Sequence, residues 1–360
     1  MYTVNMVVTA VDMVEPRWEF YPLLAEQEQP RKWLQIQADL SLAKNTIQAY
    51  GRSLEDYLLF CKIYKIIPEQ AKKADIATYV RYLSNRPNPR GKNVITLDSG
   101  AGLANATMQL RITAIRLFYD HLIEESIRPD NPVGRGKYTP GKGFAGHRDR
   151  ALIPRYKKLP WIPNNEQWQA ILEATKLEPL RNRVMLAVSY DAALRREELC
   201  SIEIGDIDPA FRLITIRAEI TKNRQARVVP YSESTGILYA HYLKHRKTLS
   251  REKGVIFLSE SRRNKGSSIS LSTWSKVVER IAKNSGVKQF TTHTPRHLCC
   301  TDLAKAGWDL HEIAEFAGHR SLETTKIYIH LSGRDLADKL EKGMNQIHAW
   351  RIAIMTELLK

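Results

Sequence analysis

The sequence predicts a mainly α-helical protein of two domains, with a small antiparallel β-sheet in the second. Three observations carry that expectation. The chain has 360 residues, more than one ordinary domain holds. Apolar residues recur every three to four positions over most of its length, the period of an amphipathic helix. Only two short stretches alternate apolar and polar residues, and they lie close enough to form one hairpin. With 43% hydrophobic residues there is material for two real cores.

Residues 1–35 form an N-terminal segment of uncertain role. Met1 to Ala10 is mildly apolar but has no basic region before it and runs into Asp12 and Glu15, so it reads as neither signal peptide nor span. No other stretch approaches the ~18 apolar residues of a membrane helix, and a soluble, intracellular protein is expected. Residues 36–135 read as a helical domain. Ile47, Tyr50, Leu54, Tyr57, Leu58, Cys61 and Tyr64 predict a helix over 44–64, with Asn45 or Thr46 as its cap. Asp75 is expected to cap a shorter helix with Ile76, Tyr79, Val80 and Leu83 inward. The stretch 85–102, rich in Pro, Asn and Gly, reads as a loop. Ile112, Ile115, Tyr119, Leu122 and Ile123 then mark a long helix over 104–124.

Residues 136–158 are glycine-rich and basic, the pattern of an interdomain linker suited to lie along a phosphate backbone. The second domain, 159–334, opens on Pro163-Asn164-Asn165-Glu166, a helix start with its cap. Helices are expected over 165–175, 180–190 and 196–203, strands over 212–218 and 226–229, and helices again from about 235 onward. Leu336, Leu340, Met344, Ile347, Trp350, Ile354 and Leu358 place a last amphipathic helix over 335–360.

The formal charge of +16 and pI near 9.6 point to a polyanionic partner, nucleic acid ahead of a membrane surface. Four cysteines, Cys61, Cys200, Cys299 and Cys300, form no C-x-x-C pair, so free thiols in a reducing compartment are expected and no zinc site.

Four short pieces of the second domain carry chemistry-bearing side chains. Ala193-Leu194-Arg195-Arg196-Glu197-Glu198-Leu199 turns into a helix, where Glu197 or Glu198 would complement the helix dipole. Lys222 lies at the turn of the predicted hairpin, with Arg227-Val228-Val229-Pro230 returning. His293-Thr294-Pro295-Arg296-His297 starts another helix, with Thr294 read as cap and Pro295 as its first residue, a place that already attracts phosphate. The last is Gly318-His319, followed nine residues later by Tyr328. A tyrosine at helical spacing is more often core than nucleophile, and an isolated H-x-x-R is a weak signal. The ordered series of all four is a stronger one.

That series closely resembles the tyrosine recombinase family, the phage-integrase type of site-specific DNA recombinases. The resemblance runs from about Trp161 to Leu331 and more loosely over the helical domain before it, which is similar to the family's core-binding domain. It places Arg195 and Arg296 at the two catalytic arginine positions, Lys222 at the hairpin lysine, and His293 and His319 at the two histidines. Tyr328 falls at the nucleophile. Ala193, Pro295 and Ala317 replace a glycine and two leucines of the family pattern, none of them a reacting group.

The resemblance implies an α+β catalytic domain that closes with the helical domain into a C-shaped clamp on double-stranded DNA. It also implies a homotetramer on the DNA, with the 335–360 helix exchanged between protomers or packed on its own domain, and an accessory DNA-bending or directionality protein as a further partner. Integration, excision or transposition of a mobile element in a prokaryotic nucleoid would be the setting. Arg111, Arg116, Lys137, Lys142 and Arg155 are candidate DNA contacts. No metal or cofactor is expected. Chemically, two guanidiniums suit the charge that gathers on the phosphate oxygens in the transition state. His293 is the candidate base for Tyr328, Lys222 the acid for the departing 5′ oxygen, and His319 a donor to the phosphate. Two alternatives stay open: relaxation of DNA by a type IB topoisomerase-like reaction, and a non-catalytic, sequence-specific DNA-binding protein on the same fold.

Overall fold

The computed structural model describes residues 15–86, 102–134, 153 and 159–331. The predicted helix over 335–360 lies outside the described residues, as do Lys137, Lys142 and Arg155. The chain divides into two compact units, Met1–Lys157 and Lys158–Lys360. Among the described residues no helix is long and apolar enough to cross a membrane.

The first unit is all helical: α1 (Pro22–Glu26), α2 (Glu28–Asp39), α3 (Lys44–Tyr64), α4 (Lys73–Asn85) and α5 (Asn105–Glu124). Its core is aromatic, with Trp33, Tyr57, Phe60, Tyr79, Phe118 and Tyr119 fully buried. The Tyr57 and Tyr119 hydroxyls bond at 2.6 Å, and the Tyr119 hydroxyl donates to the Pro68 carbonyl at 2.8 Å, so neither polar tip is stranded. The sequence boundary at residue 35 needs correction. It cuts α2, and Tyr21, Leu24, Trp33 and Leu34 belong to this core. Glu55 on α3 accepts from the Leu23 and Leu24 amides, tying the start of α1 to the domain. Gly51 lets the Tyr21 ring lie on α3, since a Cβ there would stand 2.7 Å from it. The caps also differ from expectation. Ala43 precedes α3 with no side-chain cap, and Asp75 sits inside α4, accepting from the Lys72 amide.

The second unit contains α6 (Asn165–Lys176), α7 (Leu180–Asp191), α8 (Arg196–Ser201), β1 (Ile207–Asp208), β2 (Leu213–Ile216), β3 (Arg227–Pro230), α9 (Glu233–Leu249), α10 (Leu271–Asn284), α11 (Thr294–Lys305), α12 (Leu310–Ala317) and α13 (Leu322–Leu331). Asn164 caps α6 through the Gln167 amide at 2.8 Å. The strands form an antiparallel sheet of order β1-β2-β3, with Ile214 opposite Val229 and Ile216 opposite Arg227. β1 was not predicted, because two residues are too short to show alternation. The expectation of helix from 235 onward fails over 250–270, where isolated bridges pair Glu203 with Val255 and Leu258 with Ser268. Ile214, Ile216 and Val229 from the sheet meet Val184, Tyr242, Phe257, Trp274 and Ile281 in one core. A smaller cluster of Ala193, Cys299, Cys300, Ile313, Ala317 and Tyr328 seats α11, α12 and α13 together.

Candidate active site

The chemistry-bearing pieces meet around that smaller cluster. After α7 the chain reverses through Ala193, which takes a left-handed φ of 47°. The Ala193 amide bonds the Tyr190 carbonyl and the Leu194 amide the Ser189 carbonyl, the paired bonds of a Schellman turn. This turn buries Leu194 and sets Arg195 at the N-cap of α8.

Arg195 is held from two sides. Its Nη1 donates to Glu198 Oε1 at 2.7 Å and its amide to Glu198 Oε2 at 2.9 Å. Its Nη2 donates to the Gly318 carbonyl at 2.6 Å, one residue before His319. Glu198 is therefore more than a dipole partner: its side chain is 1% exposed and lies between Arg195 and Arg227. Burial alone would raise its carboxyl, but Arg227 and then Arg195 hold it down to about 2.

Arg296 extends from the first turn of α11, buried, with Nη1 donating to the Ala193 carbonyl at 2.5 Å. Its Nη2 has no acceptor among the described residues. Burial, and the neighbouring Arg195 charge, bring its pKa down to about 10, which leaves it a cation at neutral pH. The helix start differs by one residue from the prediction. His293 is the N-cap, Thr294 and Pro295 follow it into the helix, and the Thr294 hydroxyl oxygen accepts from the Thr291 amide.

Tyr328 on α13 is 1% exposed. Its hydroxyl is 2.9 Å from His297 Nδ1, and its ring stacks on His319 at 5.8 Å and 10°. Burial pushes the phenol well above its ordinary pKa and Cys300 adds to this, while Arg296 and Arg195 pull the other way. His319 reaches its place because Gly318 ends α12 in the left-handed region at φ 65°, and its Nδ1 pairs with the Thr325 hydroxyl at 2.9 Å. Burial and the nearby arginines depress His319 to about 3. Burial, His293 and Arg296 depress His297 to about 4. Desolvation also lowers His293, with Glu197 opposing it. All three imidazoles are neutral near pH 7.

Arg195 thus bonds the carbonyl just before His319, Arg296 bonds the Ala193 carbonyl, His319 stacks on Tyr328, and His293 joins them through His297, ring to ring at 6.4 Å. Lys222 is exposed on the β2–β3 connection, and its neighbour Asn223 donates to the Gly318 carbonyl at 3.2 Å. Sequence reasoning did not single out His297, Glu198 or Arg227 as site residues. His297 stood next to Arg296 in the quoted motif, but only the fold turns its ring toward Tyr328. In the first unit Arg111 pairs with Asp56, which also binds Arg86 and the Tyr79 hydroxyl. Arg116 donates to the Gly134 carbonyl at 3.3 Å.

Both units of the chain are similar to known proteins. Residues 163–334 match the Phage integrase family, and residues 32–126 match the Phage integrase, N-terminal SAM-like domain. The chain belongs to the phage integrase family. Among its relatives, tyrosine recombinase XerC of Corynebacterium glutamicum is 31% identical over 199 residues, 54% of this chain and 62% of that protein. XerC of Thermodesulfovibrio yellowstonii is 26% identical over 314 residues, 84% of this chain and 90% of that one. The fold is shared with XerH site-specific recombinase bound to palindromic difH substrate in a post-cleavage complex (TM-score 0.63, 20% identity, 92% of this chain and 90% of that chain). It is also shared with a lambda integrase dimer bound to a COC′ core site (TM-score 0.59, 17% identity, 84% of this chain and 94% of that chain). The family is one of DNA strand-transferring enzymes, and the match of both units supports the two-domain reading.

Proposed function

We propose that the chain is a site-specific DNA recombinase that cleaves and rejoins strands through a 3′-phosphotyrosine at Tyr328. The observation that supports this reading is that Arg195, Arg296 and His319 lie in the elements packed about the buried Tyr328, with His293 reached through His297. In the first step the Tyr328 oxygen bonds to phosphorus and the bond to the 5′ oxygen breaks. The phenol proton passes to a base, for which His293 is assigned, and Lys222 supplies a proton to the departing oxygen. Arg195 and Arg296 face the non-bridging oxygens, and Arg296 Nη2, which has no acceptor among the described residues, is the donor available to a phosphate. His319 donates a further hydrogen bond. Because one phosphodiester replaces another, the step conserves bond energy and reverses when a 5′ hydroxyl from a second strand attacks.

The conformation described is a resting one. A hydroxyl that is bonded to His297, on a residue 1% exposed, must leave that contact before it meets a phosphate. Double-stranded DNA carrying recombination sites is the proposed substrate, which the +16 net charge suits. A tetramer on that DNA and an accessory DNA-bending protein are assigned by likeness to the family. Arg116, Lys137, Lys142 and Arg155 are assigned to phosphate contacts. A contact from Arg111 would compete with Asp56 for the same guanidinium.

Two labelled duplexes carrying a cognate site test the reaction class. Joined products bearing both labels support recombination. Relaxation of supercoiled DNA with no exchange would favour the topoisomerase-like alternative, and binding with neither would favour the non-catalytic one.

A further inference from the structure

Arg227 begins β3 and has no part in the steps above, yet each of its three guanidinium nitrogens makes a hydrogen bond. Its side chain is 7% exposed. Nη1 and Nη2 donate to the two Glu198 oxygens at 3.1 and 2.8 Å, and Nε donates to the Phe316 carbonyl at 3.0 Å. Glu198 receives four donors in all. Oε1 accepts from Arg195 Nη1 and Arg227 Nη1, and Oε2 from the Arg195 amide and Arg227 Nη2. A carboxylate has about four lone-pair sites, so this one is saturated.

That saturation has a consequence for Arg195. A guanidinium beside an unshared carboxylate closes on it with two parallel bonds. With two sites taken by Arg227 and one by the Arg195 amide, the Arg195 guanidinium gives Glu198 only Nη1, and Nη2 turns to the Gly318 carbonyl. Arg227 also fixes the far side of the same arrangement. Its Nε bond holds the last turn of α12, and Gly318 follows with its Cα so near that a Cβ would stand 2.9 Å from Arg227 Nη1. His319 is the next residue.

We infer that Arg227 is a positioning residue for strand transfer: through Glu198 it orients the Arg195 guanidinium, and through the Phe316 carbonyl it fixes the segment that presents His319. The inference rests on the assignment of Arg195 and Tyr328 above. A lysine at this position keeps the charge beside Glu198 but cannot span both oxygens and a carbonyl at once.

The test uses the full chain, a nicked suicide duplex that traps the covalent adduct, and the variants Arg227→Lys and Arg227→Met. Tyr328→Phe is run in parallel. Single-turnover adduct formation at saturating DNA is expected to fall about 10- to 100-fold in Arg227→Lys, while the dissociation constant for DNA changes less than about threefold. Arg227→Met is expected to fall further; if it does not fold, Arg227→Lys decides alone. A rate within twofold of the parent overturns the inference, as does a loss that only follows weakened DNA binding or a smaller folded fraction. An adduct that persists in Tyr328→Phe removes the underlying assignment instead, and the inference with it.

Discussion

Lowering the pH from 7 to 5 should cost the second domain about 4 kcal/mol, because two neutral histidines are built into its site. His297 and His319 have folded pKa values of about 4 and about 3, against an ordinary 6.5. Both folded values are depressed, so the unfolded chain binds the extra protons. The stability linked to each ring is present above pH 6.5 and is lost as pH falls toward the folded value, through 6.5 to 4 for His297 and 6.5 to 3 for His319. At pH 5 an unfolded histidine is almost fully protonated and a buried one almost bare, which amounts to roughly 2 kcal/mol for each ring. Both rings are largely covered, so solvent screening takes only part of this. The assay is urea unfolding of the full chain at pH 7, 6 and 5, for the parent and for His297→Gln and His319→Gln. Each variant should lose about 2 kcal/mol less than the parent between pH 7 and 5. Equal losses in all three proteins would refute the claim that these rings fold in the neutral state.

Three further changes test the frame around the site and the first domain. Ala193→Gly should raise stability by about 1 kcal/mol, since Ala193 holds a φ of 47° that costs an L-residue more than glycine; thermal denaturation measures it. Glu198→Gln should lower stability by about 3 kcal/mol at pH 7, because two arginines lose a buried counter-charge, and urea midpoints will show it. Tyr57→Phe removes the 2.6 Å bond to Tyr119 and should cost about 1 kcal/mol, read as faster amide exchange in α3 and α5.

What the sequence revealed and what it hid have separate physical causes. The helix α3, Lys44–Tyr64, was legible as an element, though not in its cap, because its apolar period is long and unbroken. The helices α1 and α2 were not, because Pro22–Glu26 is too short for periodicity and Glu28–Asp39 is dominated by polar residues around Trp33 and Leu34. Caps shifted by one to three positions since several polar residues compete near each helix start, as at Lys72 and Asp75. In the site, the candidate residues were proposed from ordered motifs, but their contacts could not be. Arg195 meets a carbonyl 123 residues away, and Glu198 and Arg227 pair across 29. Such pairings are made by the packing of the sheet and α12 against α8, and no local pattern encodes them. His297 shows the same limit: its neighbour Arg296 on α11 turns to Ala193, while its own ring turns to α13.

The central claim is that the Tyr328 hydroxyl attacks DNA. Its most direct measurement is to trap the covalent complex on a nicked suicide duplex, digest it, and identify by mass spectrometry the peptide that carries the nucleotide. A 3′-phosphate ester on Tyr328 is expected, with no adduct from Tyr328→Phe, which should still bind the duplex. An adduct on any other residue, or one undiminished in Tyr328→Phe, would contradict it.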